Sequence, residues 1–205
     1  MKIIAPNASL WLFPNFIKLA HAQALFTYLE AKIEWQQDQL NMYGKPVDIP
    51  RLQAWFGGQD AAYSYSGLTL SPKPWLLPLE KLRSTLALQC QDLLENDGTE
   101  KRLNFNSALA NYYRDNNDAV GWHSDDEPEL GGNPVIASVS LGGTRAFKLK
   151  HKISGEKLTI PLTSGSLLLM AGETQSYWQH AILRSKKVIA PRINLTFRHV
   201  YREKG

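Results

Sequence analysis

The stretch Gly121-Trp122-His123-Ser124-Asp125-Asp126-Glu127 sets an imidazole and a carboxylate two residues apart. On a strand or an extended edge, side chains alternate at period two, so His123 and Asp125 point to one side. Such a pair is two thirds of the facial triad that holds non-haem Fe(II). By itself the motif is weak. Five histidines and nine aspartates in 205 residues give about 0.2 His-x-Asp pairs by chance. A third ligand must therefore come from elsewhere. His21 falls in a helical stretch, His151 in a basic loop and His199 close to the chain end. His180 follows the apolar run 167–170, in a loop with little hydrophobic periodicity, and is the natural third ligand. Taken alone, it reads more readily as a hydrogen-bonded loop histidine than as a ligand.

The last apolar stretch adds a second kind of chemistry. In Pro191-Arg192-Ile193-Asn194-Leu195-Thr196-Phe197-Arg198, polar and apolar residues alternate strictly. One face presents Arg192, Asn194, Thr196 and Arg198. Two arginines in so apolar a segment are costly to bury unless they meet anions. An edge strand with a wet polar face is one reading. The other is a carboxylate clamp, because Arg pairs bidentately with a carboxylate. Asn111 and Tyr113 add hydrogen-bonding groups from one face of an earlier strand. Triad and clamp together ask for a co-substrate that chelates a metal at one end and offers a carboxylate at the other. 2-Oxoglutarate does both.

Elements of both periods must position these groups. Asn15 is the expected N-cap of a helix with Phe16, Leu19, Ala22, Phe26, Leu29 and Ile33 at helical spacing. Residues 41–50 carry Gly44, Pro46 and Pro50 and read as a loop. Residues 51–70 suggest two short strands about the Gly57-Gly58 pair. Pro72 and Pro74 introduce a second helix with Trp75, Leu79, Leu82, Leu86 and Leu93 on one stripe. Pro78 lies in its first turn, and Gly98 is its expected stop. From Leu103 the period changes to two, with strands expected at 103–113, 135–141, 157–162, 166–170 and 192–200. Two helices followed by many strands indicate α+β, with a sandwich or jelly-roll core.

Composition bounds the rest. At 205 residues, with 43% hydrophobic and 20% charged residues, one ordinary globular domain over 1–205 is expected. The single Cys90 excludes an intrachain disulfide framework and a Cys-rich zinc site. The chain has no apolar run of membrane-spanning length, and its start lacks a signal-peptide core, so an intracellular protein without membrane attachment is expected. A net charge of +4 permits a polyanionic partner without demanding one. The positive residues cluster: Lys148, Lys150, His151 and Lys152, then Arg184, Lys186 and Lys187, then Arg198, Arg202 and Lys204. Each cluster is equally readable as solvated loop charge.

Asn111-x-Tyr113, GWHSDDE, His180 and PRINLTFR occur in the order found in one family. The chain resembles the AlkB family of Fe(II)/2-oxoglutarate-dependent dioxygenases from about Pro50 onward. PRLQAWFG and YSYSGLTLSPKPW are most like the nucleic-acid repair members of its human branch. The resemblance implies a double-stranded β-helix (jelly roll) with helices outside and a nucleotide-recognition lid over 41–70. It implies Fe(II) held by His123, Asp125 and His180. Arg192, Arg198, Asn111, Tyr113 and Thr196 would contact 2-oxoglutarate, with Asn194 completing the motif. Glu127 matches an acidic position near the target base.

What the resemblance implies for function is oxidative demethylation of 1-methyladenine and 3-methylcytosine in DNA. Dioxygen would be consumed, and succinate, carbon dioxide and formaldehyde released. The base must leave the duplex to react, and methylation of its pairing edge lowers that cost. Tyr65 is the expected stacking wall, with His123 opposite and Tyr63 and Ser66 nearby. Trp55 or Phe56 is an expected wedge for the vacated stack, with burial in the lid core as the alternative. The basic clusters at 148–152 and 184–187 would hold phosphates, and a monomer is expected. RNA or single-stranded substrates, a protein or small-molecule hydroxylase, and a vestigial binding domain are the competing readings.

Overall fold

Period-two apolar residues pair here into two antiparallel sheets. The computed structural model describes residues 1–42, 44–58, 63–65, 68–96 and 103–201. Its larger sheet runs in the order β1 (Lys2–Ile3), β2 (Ser9–Phe13), β13 (Leu167–Ala171), β10 (Ile136–Gly142), β15 (Arg192–Arg198), β8 (Ser107–Tyr113) and β5 (Leu52–Gly57). The smaller runs β12 (Lys157–Leu162), β11 (Arg145–His151), β14 (Trp178–Ile182) and β9 (Val120–His123). β3 (Gln39–Met42) with β4 (Lys45–Asp48), and β6 (Tyr63–Tyr65) with β7 (Leu68–Leu70), are separate hairpins. The helices are α1 (Leu19–Lys32), α2 (Leu77–Asn96) and the single turn α3 (Thr174–Tyr177).

Side-chain alternation divides the core into two layers. On β13, Leu167, Leu169 and Ala171 join Ala22, Phe26 and Leu29 of α1 and Leu79, Leu82, Leu86, Cys90 and Leu94 of α2. The intervening Leu168 and Met170 pack with Phe147, Leu149, Ile160, Leu162, Trp178 and Ile182 of the smaller sheet. A strand buried on both faces reads as a continuous apolar run, as 167–170 does. The result is the expected α+β jelly roll, with helices outside the larger sheet and a polar-lined interior between the sheets.

Several local expectations change. Helix α1 starts at Leu19, with extended Lys18 at the N-cap and no side-chain capping bond. Asn15 lies exposed in the preceding turn. Ile17 N–H donates instead to the carbonyl of Gly165 at 2.9 Å. Gly165 has φ +81°, and a Cβ there would collide with the Ile17 carbonyl. The expected loop at 41–50 is largely the β3–β4 hairpin, with Gly44 (φ +77°) in its turn. β5, assigned to the lid, is instead an outer strand of the larger sheet, paired with β8. The strand expected from Leu103 begins at Ser107. Gly98, Arg202 and Lys204 lie outside the described residues.

Candidate metal centre and co-substrate pocket

β9 delivers His123 and β14 delivers His180 directly opposite it in the ladder. Asp125 follows two residues after the end of β9, so all three side chains converge between the sheets. One ligand atom from each lies within 4.8 Å of the others. His180 therefore sits on a strand rather than in the expected loop, and Phe147 stacks on its ring at 5.1 Å. His123 Nδ1 lies 2.8 Å from the Gly121 carbonyl. A carbonyl only accepts, so Nδ1 carries the proton and Nε2 keeps its lone pair.

Charge states favour a cation here. Burial, and then the neighbouring His123, push His180 down to about 3. Burial likewise lowers His123. Burial works to raise Asp125, but the Arg198 guanidinium and the two imidazoles outweigh it and hold the carboxyl below its ordinary value. At neutral pH the set is two neutral imidazoles and one carboxylate, the forms that ligate metals. Arg198 Nη2 donates to Asp125 Oδ2 at 2.9 Å, and the Asp125 N–H donates to Gln175 Oε1 at 3.0 Å. Asp125 Oδ1 remains buried with no hydrogen-bond partner among the described residues. An acceptor left open beside two imidazole rings fits a metal ion, and the donor set fits Fe(II).

Beside the triad a pocket is walled by Arg51, Asn111, Tyr113, Asn194, Thr196 and Arg198, with Leu109, Phe147, Met170 and Ile182 among its apolar residues. β15 lies between β10 and β8, which removes the reading of an exposed edge strand. All seven of its residues are buried. Its polar face meets serines of β10. Asn194 Nδ2 donates to Ser138 Oγ at 2.8 Å, and Arg192 Nη2 donates to Ser140 Oγ at 2.9 Å. Thr196 Oγ1 donates to Asn194 Oδ1 at 3.2 Å. Arg192 stands behind the wall against the Tyr113 ring, its Cζ 5.2 Å from the centroid. Burial pushes Arg192 down to about 10, which leaves it charged at neutral pH. Arg198 thus lies on the pocket wall beside Asp125, and Arg192 lies behind that wall beside Tyr113.

Arg51, Ser138, Ser140 and Gln175 were not foreseen. The serines had a legible signal, two hydroxyls at period two inside an apolar strand. Arg51, whose Nε donates to Asn111 Oδ1 at 2.7 Å, had only its place after Pro50.

Other expected site residues fall differently. Trp55 and Phe56 are each 2% exposed. Trp55 packs with Leu109, Leu130 and Val200, and Phe56 joins the layer beneath the helices. Neither is a surface wedge, because β5 pairs into the larger sheet and turns both rings inward. Tyr63 and Tyr65 belong to β6, but their side chains, like Ser66 as a whole, lie outside the described residues. Glu127 is half-buried at the start of a 3-10 turn, two residues beyond Asp125. His151 is on β11, buried beside Tyr177 and Trp178, not in a loop. Lys150 is exposed and Lys148 half-buried on the same strand. Lys152 bonds Asp126 and the Gln175 carbonyl. Arg184, Lys186 and Lys187 are exposed ahead of β15.

The sequence model of the 2OG-Fe(II) oxygenase superfamily matches residues 9–198. Alpha-ketoglutarate-dependent dioxygenase alkB homolog 3 of Mus musculus is 40% identical over 200 residues, 93% of this chain and 65% of that protein. DNA oxidative demethylase ALKBH2 of Homo sapiens is 40% identical over 192 residues, 88% of this chain and 69% of that protein. The chain thus spans about 65% of the length of the mouse relative. The structure of OsALKBH1 superposes with a TM-score of 0.67 at 19% identity, over 97% of this chain and 100% of that one. A Pseudomonas putida prolyl-4-hydroxylase gives 0.60 at 11%, over 93% and 92%. These two likenesses establish the shared fold. Among the described residues, no helix is long and apolar enough to cross a membrane.

Proposed function

The chain belongs to the AlkB family within the 2OG-Fe(II) oxygenase superfamily, and from that premise we propose that it is an oxidative demethylase of N-alkylated bases in DNA. The lesions proposed are 1-methyladenine and 3-methylcytosine. The observation that carries the reading is Asp125. Its Oδ2 is fixed by Arg198 while its Oδ1 stands open beside the rings of His123 and His180.

Bound Fe(II), 2-oxoglutarate and dioxygen supply the oxidising chemistry that hydroxylates the N-methyl carbon, which then leaves as formaldehyde. The chain's own task is to orient and to exclude. His123, Asp125 and His180 would hold the metal beside this pocket. Asn111, Tyr113, Asn194 and Thr196 offer hydrogen bonds along the co-substrate, and the two arginines answer its charges at either end. Phe147, Met170 and Ile182 keep bulk water from that volume. Glu127, with the β3–β4 and β6–β7 strand pairs, would stand on the substrate side in this reading. Exposed Lys150, Arg184, Lys186 and Lys187 contact phosphates, and this contact weakens with salt.

The test is turnover with matched single-stranded DNA, duplex DNA and RNA carrying either lesion. Succinate and formaldehyde should appear together, and most strongly on DNA. Faster turnover on RNA would replace the DNA assignment, and none on any substrate would remove the demethylase reading. His180→Ala should abolish turnover without unfolding the chain.

A further inference from the structure

The end of the sandwich that holds Arg192 contains a second buried guanidinium. Arg145 opens β11 on the smaller sheet and is 2% exposed, while Arg192 opens β15 on the larger and is 1% exposed. Tyr113 ends β8 and pairs with Arg192 across the ladder. Both cations lie against its ring, Arg145 Cζ at 5.4 Å and Arg192 Cζ at 5.2 Å from the centroid. Separations of this size let a ring attract each charge.

The two arginines use their donors differently. Arg145 Nη1 donates to the Asp115 carbonyl at 3.0 Å, and its Nη2 donates to the carbonyls of Asp118 at 2.8 Å and Leu183 at 3.0 Å. Those carbonyls belong to the β8–β9 and β14–β15 connections, so the guanidinium is clamped from two directions. Arg192 engages Ser140 through Nη2, while its Nε and Nη1 are buried with no acceptor in hydrogen-bonding geometry among the described residues. Neither arginine has an ion-pair partner among the described residues. Asp118, whose charge reaches Arg145, is engaged by Arg114 at 2.8 and 2.9 Å. Two like charges are thus buried around one ring with two donors open. Such a cluster costs folding energy unless an anion completes it.

We propose that Arg145 is a positioning residue for the distal carboxylate of the co-substrate. Held by three carbonyls, it fixes the Tyr113 ring, and through that ring and its own charge it keeps the open donors of Arg192 aimed at an anion. Its donors face backbone and it is not part of the pocket wall, so it acts through Tyr113 and Arg192. The inference rests on reading the pocket as a 2-oxoglutarate site.

Calorimetric titration of the Mn(II)-loaded chain tests it with two ligands. 2-Oxoglutarate has the distal carboxylate; oxalate chelates the metal without one. In Arg145→Gln the Kd for 2-oxoglutarate should rise roughly tenfold, and that for oxalate should stay within about twofold. Arg145→Lys keeps the charge but not the planar, multiply bonded face, and it guards against a Gln variant that fails to fold. It should lose several-fold for 2-oxoglutarate alone. Unchanged 2-oxoglutarate affinity in the variants, or equal loss of both ligands, overturns the role of Arg145. A wild-type chain that binds neither ligand overturns the pocket reading itself.

Discussion

Arg198→Met removes one charge from a pair that is almost fully enclosed. Arg198 Nη2 and Asp125 Oδ2 are 2.9 Å apart, with side chains 5% and 2% exposed. At an effective dielectric near 20, two unit charges at that separation attract by about 6 kcal/mol. Removing one partner strands the other, and the net cost of breaking such a buried pair is about 3–5 kcal/mol. Urea unfolding followed by tryptophan fluorescence, in the presence of a chelator, should show that loss. Mn(II) binding only to the folded chain adds about 2.7 kcal/mol at a hundredfold excess over its Kd. In the variant the ion also replaces the missing countercharge of Asp125. The loss measured with Mn(II) should therefore be smaller than the loss without it, by at least about 1 kcal/mol. A loss below about 1 kcal/mol in chelator would mean the pair behaves like a surface ion pair. An equal loss under both conditions would refute Asp125 as a ligand.

Phe56→Ala should cost about 3–5 kcal/mol of stability with turnover per folded molecule unchanged, since the ring is 2% exposed beneath the helices. A selective fall on duplex substrate without loss of stability would restore the wedge. Burial works to raise Asp118, but the hydrogen bonds from Arg114 and the charges of Arg114 and Arg145 outweigh it and lower its pKa. Because the folded value lies below the unfolded one, its contribution is present above about pH 3.9 and fades as pH falls through the folded value. Asp118→Asn should lose about 1.5–3 kcal/mol at neutral pH, and the gap should narrow in acid; a gap independent of pH would rule out the charge as its cause. Burial pushes the Cys90 thiol up to about 12, so the native chain should resist iodoacetamide near pH 8 and react once unfolded in urea.

How much of this could be read beforehand depends on what each strand faces. β15 was legible because Asn194, Thr196 and Arg198 line a cavity, with Arg192 behind it, while the apolar residues pack in the layer beneath the helices, which leaves perfect alternation in the sequence. β2 was not, because Leu10 and Leu12 face the smaller sheet while Trp11 faces the helices. With no polar face, SLWLF carries no period. β11 does alternate, with Phe147, Leu149 and His151 inward and Ala146 and Lys150 exposed, but its lysines gave it the look of a basic loop. Gly44 and Pro46 similarly disguised a hairpin. His123, Asp125 and His180, which the structure brings together, could be picked out despite this, since a His-x-Asp pair and a later His need no strand boundary to be noticed. Arg145 was hidden for the opposite reason. Its partners are backbone carbonyls, and a sequence does not display which carbonyls face inward.

The complete burial of Arg192–Arg198 leaves this chain little freedom to adapt its stability and its pocket independently. Ile193, Leu195 and Phe197 share a backbone with Arg192, Asn194, Thr196 and Arg198, so repacking one set displaces the other by fractions of an ångström. Directed evolution that randomises the apolar positions for thermotolerance should return mostly inactive survivors. Replacements outside the pocket, on exposed Leu88 of α2 for example, should leave chemistry untouched.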